Sequence, residues 1–265
     1  MPYLFKLATN KLSIKYLWIF TIMTSTLSAI EIESLNHAVD VAGKQRMFTQ
    51  RMLKDYTMIG MENSFGKPDE DLKKIMDAFE NHLEALHNYT KNKKIRKSTS
   101  EVKKIWLPIK KVLTSKPKKE SVGKLQEDLE KLLKESNHTT ELFAKATGEV
   151  SGEIINISGR QRMLSQRMAG LYMLKVWGVG DKKFKEKMDA SMKLFKDSLE
   201  KLKKSELNTD EINTLLTKVE RSFMFFEIMN RSIEAFIPAL IYKKSNDILK
   251  NMNTATKLYV DVSKK

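Results

Sequence analysis

The chain has no cysteine. That excludes disulfides, thiolate nucleophiles, thiolate-held metals and covalently attached c-type haem. Glycine (10) and proline (5) are scarce among the 265 residues, while Lys, Glu, Leu, Met, Ala and Gln fill most segments. Apolar residues recur mostly three or four apart. The chain therefore reads as all-α. After residue 29 there is no apolar run of the ~20 residues a membrane helix needs. Histidine is sparse as well: His37, His82, His87 and His138. His82 and His87 lie five apart, a spacing that does not put two ligands on one helical face. No Glu-x-x-His pair recurs as a di-metal bundle would require. The histidines read as isolated surface residues, and no metal is expected. No Ser/His/Asp set, phosphate-binding glycine loop or pair of catalytic carboxylates stands out, so neither an enzyme nor a cofactor is expected.

Basic residues are abundant, with a formal net charge of +15. Residues 1–29 hold three of the lysines (Lys6, Lys11, Lys15) and no acids, so the remainder carries +12. Those three lysines precede an uncharged stretch, Tyr16 to Ala29, that is short for a membrane span. The pattern is that of a signal peptide with Leu27-Ser28-Ala29 near its cleavage site, or else of an uncleaved N-terminal anchor. Either places the body in the periplasm. The later lysines, such as Lys182, Lys183, Lys185 and Lys187, are interleaved with acids and suit solvated helix faces. Export argues against nucleic acid as a partner.

The most informative feature is a repeat. Ala42-Gly43-Lys44-Gln45-Arg46-Met47-Phe48-Thr49-Gln50-Arg51-Met52 returns as Ser158-Gly159-Arg160-Gln161-Arg162-Met163-Leu164-Ser165-Gln166-Arg167-Met168, an offset of 116. Tyr56 and Tyr172, Phe79 and Phe195, and Leu83 and Leu199 keep that offset. Further on, Trp106 aligns roughly with Phe223, and Ser136-Asn137 with Ser245-Asn246 at an offset of 109. The chain thus reads as two tandem four-helix-bundle modules related by internal duplication, residues 30–147 and 148–265. Pro68, followed by Asp69-Glu70-Asp71, opens a second helix. A third starts near Ser98 or Ser100, with a kink or break expected at Pro108. Asn208 to Glu211 supplies an N-terminal cap. Between the modules, Gly148 and Gly152 mark either a short break or a kinked helix.

On a helix, Gly43, Arg46 and Gln50 share one face. A glycine held inside a helix at the same place in both copies suits close approach of a backbone or a ligand. Arginine offers a planar fork of donors that matches a planar oxyanion. No acid lies within the run to neutralise it. If the two first helices pack together, Arg46 and Arg162 converge across a pseudo-twofold axis, and an anion between them would relieve their repulsion. Pairing of each arginine with an acid on a neighbouring helix is the competing, purely structural reading.

The run resembles the signature of the PilJ/NarX-like sensor domain of nitrate/nitrite sensor kinases and type IV pilus chemotaxis transducers. The resemblance covers most of residues 32–262. It implies periplasmic four-helix modules whose arginine-bearing helices pair around a ligand. It implies nitrate or nitrite as ligand, with Arg46, Arg162, Gly43 and Gly159 lining the site and Gln50, Gln166, Arg51 and Arg167 supporting it. Two modules in one chain imply an intramolecular pseudo-dimer. The function expected is small-anion sensing or binding within a signalling or chemotaxis system, without an output domain of its own and read by a membrane receptor or kinase. The alternative is a helical interaction protein that docks onto a membrane receptor or envelope partner.

Overall fold

A computed structural model describes residues 30–148, 150–180, 182–231 and 237–264. Residues 1–29, where the leader or anchor is expected, lie outside the described residues. Among the described residues there are eight helices and no strand: α1 (Leu35–Gly60), α2 (Pro68–Tyr89), α3 (Lys93–Leu113), α4 (Lys119–Thr147), α5 (Val150–Val176), α6 (Lys182–Lys203), α7 (Asp210–Arg231) and α8 (Pro238–Val262). None is long and apolar enough to cross a membrane.

Local chemistry sets most of the boundaries. Ser34 caps α1, its hydroxyl accepting from the His37 N–H at 3.1 Å. Pro68 sits at the start of α2, with Asp69, Glu70 and Asp71 in the first turn where the helix dipole favours negative charge. Thr209 caps α7 by accepting from the Ile212 N–H at 3.3 Å. Gly148 closes α4 with a left-handed backbone (φ 68°), and α5 begins at Val150, so the junction is a break and not one kinked helix.

One local expectation fails at α3, and of the kink or break expected at Pro108 the break does not occur. The helix starts at Lys93, capped by Asn92, and not near Ser98 or Ser100. Ser98 is buried within it, bonding Glu135 (2.6 Å) and Thr139 (2.7 Å) on α4. The helix also runs without a break through Pro108. Trp106 and Ile109 on either side are buried, and the Trp106 indole N–H and the Lys110 ammonium both donate to Glu80 (2.9 and 2.7 Å). Tertiary packing outweighs the hydrogen bond that proline removes.

Helices α1 to α4 pack as one bundle and α5 to α8 as another, and α1 and α5 lie against each other as the shared centre. The outer helices are amphipathic, but α1 and α5 are buried on nearly every face over their middle turns. Their polar residues must find partners inside the protein. The two halves repeat in detail. Gln45 donates to the Phe79 carbonyl at 2.9 Å, and Gln161 to the Phe195 carbonyl at 3.0 Å. Phe79 packs at a tilt against Trp106 (4.7 Å between centroids), and in the same place Phe195 stacks on Phe223 (4.4 Å).

One histidine departs from the surface placement that its spacing suggests. His82 on α2 is buried, edge-on to Phe48 at 5.1 Å. Burial, and then the charge of Lys44, push its pKa down to about 4. The folded protein keeps His82 neutral, while the unfolded chain protonates it near pH ~6.5. Stability is therefore complete above that pH and falls as pH drops from about 6.5 to about 4. The loss approaches about 3 kcal/mol at roughly 1.4 kcal/mol per tenfold change. Urea denaturation at pH 7.5 and 4.5 should show the wild type losing several-tenths of its midpoint more than His82→Gln does. Equal losses in the two proteins would contradict the buried neutral imidazole.

Candidate functional site

The centre of the molecule is the crossing of α1 and α5. A Cβ placed on Gly43 would lie 3.8 Å from the Gly159 Cα, and one on Gly159 would lie 3.7 Å from the Gly43 Cα. Glycine at both positions leaves room for this approach with two guanidinium groups laid over it, and a methyl at either would press on them. The Nη2 atoms of Arg46 and Arg162 both come within 3.3 Å of the Gly43 Cβ position and within 3.1 Å of the Gly159 one.

Each arginine reaches across to the other module. Arg46 donates from Nη1 to Asn156 Oδ1 (2.8 Å) and Asn137 Oδ1 (2.9 Å), and from Nη2 to the Asn156 carbonyl (3.0 Å). Arg162 donates from Nη1 to Asp40 Oδ1 (2.7 Å) and Asn253 Oδ1 (3.2 Å), and from Nη2 to the Asp40 carbonyl (3.3 Å). The partners are themselves related by the 116-residue offset: Asp40 with Asn156, Asn137 with Asn253. The fourth helices therefore keep the offset of the first. The alignment of Asn137 with Asn246 is one heptad out of register.

The geometry is symmetric but the charge is not. Asp40 neutralises Arg162 and also accepts from Lys44 at 2.9 Å. Burial alone would raise its pKa, but the charges of Arg162 and Lys44 overcome this and hold it at about 2. Opposite Arg46 stands a neutral amide, Asn156. Burial, and then the charges of Arg160 and Arg162, depress the Arg46 pKa to about 9. It remains a cation at neutral pH. Both guanidinium groups are fully buried, and neither Nε has a partner. The competing reading, in which each arginine pairs with an acid on a neighbouring helix, holds for Arg162 with Asp40, while among the described residues Arg46 has no such ion pair.

The remaining residues of the run lie outside this cluster. Arg51 clamps Asp71 on α2 with two bonds (2.8 and 2.6 Å). Arg167 pairs with Glu130 on α4 at 3.0 Å. Gln50 is buried and donates to Thr49 Oγ1 at 3.2 Å. Gln166 donates to the Ser245 carbonyl (3.0 Å) and accepts from Lys54 (2.8 Å). Lys54 is fully buried, bonds Asn246 at 2.9 Å and stands 4.0 Å over the Tyr242 ring, joining α1 to α5 and α8. Gly170 takes its place in the second module.

Asp40, Asn156, Asn137 and Asn253 escaped the sequence reading. The signal was present: holding the offset at 116 through the last helix pairs both sets. A seven-residue slip preserves the buried pattern of a helix almost unchanged, so burial alone could not choose between registers. Open clefts flank the cluster, two of them on opposite partners of the arginines. One, of about 630 Å³, is lined by Asp40, Lys44, Asn253 and Lys257, and the other, of about 220 Å³, by Asn156, Glu141 and Lys145.

The glycine contact makes a prediction. Alanine normally favours a helix by about 1 kcal/mol over glycine. Gly123, on α4 with nothing within 4 Å of its Cβ position, should follow that rule and gain stability as Gly123→Ala. Gly43→Ala and Gly159→Ala should each lose about 1–3 kcal/mol in equilibrium denaturation, because locked guanidinium groups occupy the space. Stabilisation at all three sites would contradict the close crossing.

Comparison with known proteins adds a family. The family model for PilJ, described as the type IV pili methyl-accepting chemotaxis transducer N-terminal domain, matches residues 30–137 and 144–223. No curated protein and no solved structure matches the chain. With that model spanning most of both modules, the chain belongs to the PilJ family of chemotaxis-transducer sensor domains.

Proposed function

We propose that the chain is an extracytoplasmic anion-binding sensor module, with nitrate or nitrite as the first ligands to test. The observation that carries this reading is a buried cation without an ion-pair partner. Arg46 is fully buried, and among the described residues no carboxylate contacts it; burial and the charges of Arg160 and Arg162 lower its pKa more than the nearby Glu141 raises it. A monovalent oxyanion at the α1/α5 crossing would bring in the missing charge and accept from two planar forks. The Nη donors are now held by Asn156, Asn137, Asp40 and Asn253, so an anion has to displace side chains and ease two glycine-packed helices apart. Binding would then be linked to the spacing of the two modules, as a sensor needs. The family supports an output through membrane receptor signalling machinery. The basic segment and uncharged stretch at the start of the chain support export.

Calorimetric titration of the protein with nitrate and nitrite tests the proposal. Saturable heat is expected in the wild type. It should be lost in Arg46→Lys, which keeps the charge but not the fork, and in Arg162→Ala. Absence of heat and of thermal stabilisation with either anion would overturn it.

A further inference from the structure

Asp40 and Asn156 are the same position in the two modules, and each sits three residues before its glycine. Their geometry is nearly the same as well. Each presents a side-chain oxygen to Nη1 of the opposite arginine, at 2.7 and 2.8 Å, and a backbone carbonyl to Nη2, at 3.3 and 3.0 Å. The one difference of substance is a charge. A carboxylate presented edge-on to a guanidinium is also the nearest protein mimic of a planar oxyanion.

We propose that Asp40 is a built-in counter-ion that competes with the external anion for Arg162, and so sets the affinity of the site. This deepens the anion reading above and rests on it. An anion arriving between the arginines meets one cation already neutralised and one that is not. To use Arg162 it must turn out Asp40. That carboxylate is not stranded when released. Its second oxygen is already on Lys44 at 2.9 Å, and Lys44 lines the 630 Å³ cleft open to solvent. Asp40 can therefore leave Arg162 while keeping its other ion pair and gaining water. At Arg46 there is no carboxylate to displace. The duplicated chain thus holds a half-neutralised version of the pair, responsive only where the anion concentration is high enough to win the exchange.

The two modules supply their own substitutions. Asp40→Asn copies the second module into the first, and Asn156→Asp copies the first into the second. Both are isosteric. Nitrate is titrated into wild type, Asp40→Asn and Asn156→Asp by calorimetry and thermal unfolding, in a buffer free of other small oxyanions. Asp40→Asn is expected to bind at least tenfold more tightly than wild type. It should also unfold at a lower temperature without nitrate and recover with it. Asn156→Asp is expected to bind at least tenfold more weakly and to respond little to added salt. Circular dichroism reports whether each variant folds. If Asp40→Asn does not fold, the fall in affinity of Asn156→Asp carries the test. Nitrate binding to the wild type with unchanged or reversed order among the variants would overturn the role of Asp40 and leave the anion site standing. No binding in any of the three, Asp40→Asn included, would overturn both.

Discussion

Two buried guanidinium groups laid over a glycine–glycine contact govern this molecule. Burying a cation is costly unless it is hydrogen-bonded and balanced. Two side by side compound the cost. The fold meets it by sending each arginine across the crossing, so that α1 is satisfied by α4 and α5, and α5 by α1 and α8. Neither module completes its own centre. The bundles share one apolar core, and at its centre they are also joined by polar chemistry. The glycines fit this arrangement, since a Cβ at either position would press on both guanidinium groups.

Much of this was legible in the sequence, for reasons that can be traced to particular residues. The repeated run around Gly43 and Gly159 revealed the duplication because a glycine and two arginines cannot be retained in a buried helix by apolar packing alone. Pro68 and the Asn208 to Glu211 segment marked helix starts through chemistry that acts within a turn. What was not legible depends on partners distant in the chain. Asn92 outcompeted Ser98 as a cap because Ser98 is claimed by α4. Pro108 failed to break α3 because Trp106 and Lys110 are anchored on Glu80. Arg51 and Arg167 match the run as well as Arg46 and Arg162 do, but they face α2 and α4, and only the packing of whole helices decides which pair meets.

Duplication within one chain frees the two halves to differ, as two identical subunits could not. Some of the differences lie at or beside the axis. Asp40 faces Asn156, Lys44 is matched by Arg160, and the fully buried Lys54 is matched by Gly170. Beside Lys54, the Asp55 carboxyl is pushed well above the usual carboxylate range by burial, with Asp71 adding to the rise. The geometry of a symmetric pair is preserved while its charge is made unequal. Arg162 has an ion-pair partner in Asp40, and Arg46 has only neutral oxygens within hydrogen-bond reach.

The central claim is that this arginine pair is where an anion is received, and a crystal structure of the chain grown in nitrate tests it most directly. The account requires a single nitrate bridging the Nη atoms of Arg46 and Arg162, with Asp40 turned toward Lys44 and α1 and α5 further apart at Gly43 and Gly159. Finding Arg162 still on Asp40 and Arg46 still on Asn156 at saturating nitrate, with the helices unmoved, would contradict it.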